Sequence, residues 1–256
     1  MKKNIMFKFF IFLLLPIVLV SCAQMGEILE RAINSGPLTS SEVSLGLKEA
    51  LEIGTKIAVD GLSREDGFLL DEAVKILLPS EASKAVGLIT KIPGGKKLVN
   101  DLVLRLNRAA EFAVTKAVPI FVNAITSLTI RDAFDILRGN DNAATQYLHG
   151  RTFDDLYGLF RPEVKKSLDK RLIGNLSTSR SWELFTNKYN SVAKSIAGKI
   201  AGIKPLHNKL DEYVTGKALD ALFIKLRGEE KKIRDNPIAR STDLLRRVFG
   251  SVDNNQ

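Results

Sequence analysis

Between Lys96 and Lys116 the apolar residues return every three or four positions: Val99, Leu102, Val103, Leu106, Ala110, Ala113 and then Ala117. An α-helix gathers residues at that spacing on one face, whereas a strand would send alternate side chains to opposite sides. The other face would carry Asn100, Asp101, Asn107, Arg108, Glu111 and Thr115. The same period runs through Val43, Leu47, Ala50, Leu51 and Ala58, and no segment alternates convincingly as a strand. The chain is therefore expected to be all-α.

Caps and stops divide it into many pieces. Thr39 and Glu42 have capping-box spacing, opening a helix that ends near Gly61. A short helix is expected over residues 71–78, stopping at Pro79, and another from about Ser80 to the Pro93-Gly94-Gly95 turn. Pro119 restarts the chain through Ser127, Thr129 caps Ile130 to Leu137, and Asp141 is placed to cap residues 142–148. Thr152 opens a helix toward Phe160, and Pro162 suits the first turn of one reaching about Arg171. Helical spacing returns at Trp182, Phe185 and Tyr189, from Thr215 to about Arg234, and from Thr242 to Phe249. These pieces predict a single compact bundle of roughly ten short helices, in one body or two lobes.

The first residues describe an address. Lys2 and Lys3 precede an unbroken apolar run, Phe9 to Val20. A membrane span needs ~20 such residues, so this run fits the core of a secretion signal better. It ends in Leu19-Val20-Ser21-Cys22, which resembles the lipobox of bacterial lipoproteins, in which the cysteine is lipidated and the chain cleaved just before it. Lipidation also explains why an exported chain holds a single Cys, which excludes a disulfide framework. Loss of Lys2, Lys3 and Lys8 lowers the net charge from +9 to +6. Ala23 follows the Cys where lipoproteins kept at the inner membrane commonly carry Asp; the resemblance thus implies the outer membrane, facing the periplasm. The expected organisation is a signal over residues 1–21, lipidated Cys22 and a tether over 22–38, the helical domain over 39–250, and a polar tail over 251–256.

Five further segments resemble a bacterial envelope lipoprotein family known only as a domain of unknown function. They are GLKEALEIGT from Gly46, LRLNRAAE from Leu104, NDNAATQY from Asn140, LDEYVTGKALDALF from Leu210, and EEKKIRDNPIARSTDLLRRVFG from Glu229. They lie in order along nearly the whole exported chain. The resemblance implies architecture and export, but no reaction. The chain departs from the family pattern near residues 195–206.

Candidate chemistry is sparse. Two His, at 149 and 207, cannot supply a three-His zinc site, so neither a metal nor another cofactor is expected. Asn140-Asp141-Asn142 superficially suggests a calcium loop, yet Ala144 stands at its fifth position and no Glu closes it. Ser167/Lys170 and Ser191/Lys194 have Ser-x-x-Lys spacing without a Lys-Thr-Gly companion. Gly94-Gly95-Lys96-Lys97 lacks the rest of a phosphate loop. Two polar concentrations stand out as a binding site or as ion-pair locks: Arg105, Asn107, Arg108 and Glu111, and then Glu229, Glu230, Arg234, Asn236 and Arg240. Basic pairs recur, as at Lys165-Lys166 and Lys231-Lys232. On an exported chain they suit anionic lipid rather than nucleic acid, although interspersed Asp and Glu make an ordinary solvated surface the commoner reading. The expectation is a membrane-tethered, non-enzymatic binding or scaffolding protein for an amphiphile or an envelope protein partner. The alternatives are an enzyme using the polar clusters on an envelope substrate, and a purely architectural protein.

Overall fold

A computed structural model describes residues 36–253, apart from residues 92, 174, 175, 207 and 208. The expected signal, Cys22 and nearly all of the segment expected to be a tether lie outside the described residues. The chain divides after Thr39 into two compact units, and the second, beginning at Ser40, holds all the described helices and strands.

These are ten α-helices: α1 (Ser40–Ser63), α2 (Ser83–Ile89), α3 (Gly95–Val114), α4 (Val118–Thr126), α5 (Ile130–Leu137), α6 (Ala143–Leu168), α7 (Thr178–Lys194), α8 (Ile196–Ile200), α9 (Leu210–Asp235) and α10 (Asp243–Gly250). Two short antiparallel strands, β1 (Arg171–Ile173) and β2 (Leu176–Ser177), link α6 to α7 and leave the fold all-α. The long helices α6 and α9 lie against each other. Around them, α3 packs on both, and α1 joins α9 to α4, α5 and α10. Their seams bury Leu47, Leu106, Leu148, Phe160 and Leu219, with Phe121 edge-on to Phe223 at a ring separation of 6.3 Å. Among the described residues no single helix is long and apolar enough to cross a membrane.

Several local expectations hold. Thr129 caps α5, in a reciprocal box with Asp132, and a helix begins beside Thr242, which is its cap rather than its first residue. Two others change. The helix expected over residues 71–78 is instead a turn followed by irregular chain up to Pro79. Buried Asn107 bonds both the N–H and the C=O of Ile76, at 2.9 Å each, and so takes the groups a helix would have used. Residues 143–168, read as three helices, form one. Thr152 does not cap; its hydroxyl donates to the Leu148 carbonyl at 2.7 Å, inside the helix. Pro162 also lies inside α6, where its ring nitrogen withholds a hydrogen bond from the turn before it. The buried row Leu148, Leu156, Phe160, Val164 and Leu168 spans the proline and offsets that loss.

Candidate functional site

The most informative polar geometry surrounds residues 64–79, a strap laid over α3 and α9. Near its start Asp66 stands in the left-handed region, at φ 63°. Gly67 then passes so close to the end of α1 that a Cβ there would meet the Gly61 carbonyl oxygen at 2.5 Å. From the α3 side Arg108 gathers three carboxylates: Glu111 at 2.7 Å, Asp66 at 2.8 Å and Glu65 at 3.0 Å. The hydrogen bond it donates to Glu111 is the main reason that the Arg108 guanidinium holds its proton more tightly than usual. Buried Glu111 also accepts from the Phe68 N–H at 3.5 Å. One turn away, Asn107 holds the Ile76 backbone and gives its second amide proton to the Val103 carbonyl at 2.7 Å. From the α9 side Lys225 pairs with Asp71, and that hydrogen bond holds the Asp71 carboxyl below its ordinary range. Tyr213 donates its hydroxyl to the Leu77 carbonyl at 2.9 Å.

Held in this way, the strap separates two clefts. One, about 400 Å³, lies between the end of α1 and α9, and its charges are mixed: Arg64, Asp66, Asp71, Glu72, Lys225 and Glu229. The other, about 440 Å³, opens between strap residues 73–77, His149 of α6, and α9. Along α9 its wall is Tyr213, Lys217, Asp220, Ile224 and Arg227, spaced alternately by four and three residues and therefore on one face. Lys75, Lys217 and Arg227 outnumber the single acid, Asp220, and Leu77, Ile224 and Phe223 supply apolar surface. Lys75 and Lys217 have acidic neighbours in Glu72 (3.0 Å) and Asp220 (3.4 Å). Arg227 has no ion-pair partner among the described residues. His149 stacks on Phe153 at 4.8 Å and lies 4.7 Å from Phe223, so its ring serves as wall. Among the described residues no hydrogen bond joins it to Asp220 or Tyr213, and none of these groups is arranged as an acid–base relay.

In the second polar concentration only Glu229 lines a cleft beside the strap. Glu230 of α9 takes the N-terminus of α6, accepting from the Ala144 N–H at 2.9 Å and from the Thr145 N–H and hydroxyl at 2.8 Å each. The cap expected from Asp141 is not formed: Asn142 occupies the cap position without a side-chain bond, and Asp141 lies 3.9 Å from Lys231. Arg234 pairs with Glu230 at 2.9 Å and donates to the Ile136 carbonyl at the end of α5. Arg240, whose side chain is 3% exposed, donates to the Ile233 and Arg234 carbonyls closing α9. It also binds Asp253 at 2.6 Å, so the segment read as a polar tail contributes a carboxylate to the lock. Glu229 pairs with Lys232 at 2.6 Å, and Asn236 caps the following turn through the Ile238 N–H. Arg105 makes no hydrogen bond or ion pair with a described residue.

The model of a family described as a protein of unknown function, DUF4197, matches residues 37–250. The chain belongs to the DUF4197 family. No match was found among curated proteins or among solved structures. Most of the remaining sequence candidates have described positions within the DUF4197 domain. Lys170 points its ammonium over the Phe112 ring, 5.5 Å from the centroid, and the Ser191 hydroxyl donates to the Lys188 carbonyl, so neither Ser-x-x-Lys pair meets. Lys97 of the Gly94–Lys97 segment pairs with Asp101 at 2.6 Å. No group of three potential metal ligands converges among the described residues, and His207 lies outside them. The cleft wall on α9 escaped the sequence reading because its stripe mixes Tyr, Lys, Asp, Ile and Arg, which leaves no apolar period. The alternating spacing of four and three is the signal that marks it.

Proposed function

We propose that this member of the family is a membrane-tethered lipoprotein of the bacterial envelope, anchored by lipid on Cys22 and facing the periplasm from the outer membrane. Its helical domain is a non-enzymatic binding module for an anionic amphiphile. The tether rests on the basic start, the apolar run and the lipobox-like Leu19-Val20-Ser21-Cys22. The binding role rests on the cleft beside α9, where Lys75, Lys217 and Arg227 surround an apolar wall of Leu77, Phe223 and Ile224. Its size of about 440 Å³ suits a headgroup with a short length of chain, as ligand pockets of this class run ~300–1,000 Å³.

Native mass spectrometry tests the cleft. Protein purified from its own envelope should carry an added amphiphile, or bind lysophosphatidylglycerol saturably. Lys217→Glu together with Arg227→Glu should remove either species, with the helical content unchanged. A parent protein that carries no added mass and takes up no lysophosphatidylglycerol would overturn the reading. The tether is tested separately: the mature chain should begin at Cys22 and carry the added mass of a diacylglyceryl group there, and an unmodified Cys22 in the membrane fraction would count against lipid anchoring.

A further inference from the structure

The stretch from Leu184 to Leu210 holds Lys188, Lys194, Lys199, Lys204 and Lys209 and not one Asp or Glu. Elsewhere lysines commonly find carboxylates within their own helices, as Lys56 does with Asp60, Lys165 with Asp169 and Lys231 with Asp235. Among the described residues none of Lys188, Lys194, Lys199 and Lys204 has an ion-pair partner. The same stretch exposes large apolar side chains: Val192 at 57%, Ile196 at 80% and Ile200 at 84%. Exposed apolar residues and unneutralised cations are thus concentrated on one limb.

That presentation is built into the fold. The Ser195 hydroxyl accepts from the Gly198 N–H at 3.0 Å, which turns α8 back against the end of α7. The approach is so tight that a Cβ on Gly198 would meet the Val192 carbonyl oxygen at 2.1 Å. With Gly198 facing inward, Ile196 and Ile200 are left on the outside. The base of the limb is fastened by Asn190, which exchanges two hydrogen bonds with the Leu206 backbone at 2.7 and 2.8 Å, and by buried Trp182 and Ala193.

We propose that this limb is a membrane-contacting element that recognises an anionic lipid surface. Ile196 and Ile200 enter the headgroup–acyl boundary, and Lys194, Lys199 and Lys204 meet the headgroups. A nucleic-acid backbone would use the lysines but would leave two isoleucines facing phosphate and water. An interface between lipid headgroups and acyl chains accommodates both kinds of side chain together. The proposal is independent of the cleft beside α9.

The test uses the exported chain carrying Cys22→Ser, so that lipid anchoring does not mask surface binding. Its partition is measured by co-sedimentation with vesicles of phosphatidylethanolamine and phosphatidylglycerol, and with vesicles of phosphatidylcholine alone. Binding is expected to the anionic vesicles only, weakening at least tenfold in 0.5 M salt. It should fall at least tenfold in Ile196→Ser with Ile200→Ser, and likewise in Lys194→Gln with Lys199→Gln. These side chains are exposed, so an unchanged circular dichroism spectrum and melting temperature are expected beside the lost binding. Equal binding to both vesicle types, parental binding by both limb variants, or no vesicle binding by the parent would each overturn the proposal.

Discussion

Asn107 and Asn190 solve one problem in two places. Each amide both donates to and accepts from a single backbone residue, Ile76 in one case and Leu206 in the other, and so stands in for a missing neighbouring strand. An orphaned buried donor or acceptor costs ~1–3 kcal/mol. Asn107→Ala should accordingly lose about 2–4 kcal/mol in a denaturant titration, since it strands both polar groups of Ile76. Glu230→Ala should be worse, near ~3–5 kcal/mol, because it uncaps α6 and leaves the Arg234 charge buried without its partner. Little of this was legible in the sequence. Periodicity puts Asn107 and Glu111 on a polar, outward face, but which polar residues are covered depends on where the chain of residues 64–79 returns. The cap at Thr129 was plain, because it adjoins the helix that it caps; its box partner Asp132 was shown by the structure.

At the scale of elements, the strap and α6 show how a segment's own preferences yield to its surroundings. The strap's pairing of Asp71 with Lys225 gives it a dependence on pH. A carboxyl whose folded pKa is depressed adds stability above its ordinary value near 3.8, and that stability is lost as the pH falls through the folded value. Asp253 beside Arg240 and Asp132 beside Thr129 shift in the same direction. Stability to urea should thus be level between about pH 7 and about 5 and decline below about 4. Asp71→Asn should flatten part of that decline, and an acid limb identical to the parent's would show the pairing to be without effect. In α6, Pro162→Ala restores a backbone donor at an exposed position and should stabilise the domain by ~1–2 kcal/mol, read as a shift in the urea midpoint at constant slope. The unity of α6 was hidden because Thr152 and Pro162 both carry the signature of a helix start. Tertiary burial of the row from Leu148 to Leu168 decides otherwise.

Across the whole domain, the all-α class and most helix ends followed from spacing and caps, whereas the clefts did not, since they arise between segments far apart in the chain. Such closures also join the domain's beginning to its end. Arg247 of α10 pairs with Glu42 of α1 at 2.9 Å, and Thr242 reaches Glu49 at 3.2 Å. Gly46 lets the two helices approach: a Cβ there would meet the Val248 side chain at 2.7 Å. Gly46→Leu should therefore destabilise the domain by ~1–3 kcal/mol through overpacking, measurable as a lowered melting temperature.

The seam between α1 and α10 has a consequence for how the molecule is made. Synthesis proceeds from the N-terminus, so the groove on α1 that receives Leu244 and Val248 stays uncovered until α10 has been added. A nascent or prematurely terminated chain would expose that greasy furrow, of the kind that chaperones hold and quality-control proteases cleave. Only a chain extended through α10 can close it, and the domain thereby carries its own check that this helix has been made.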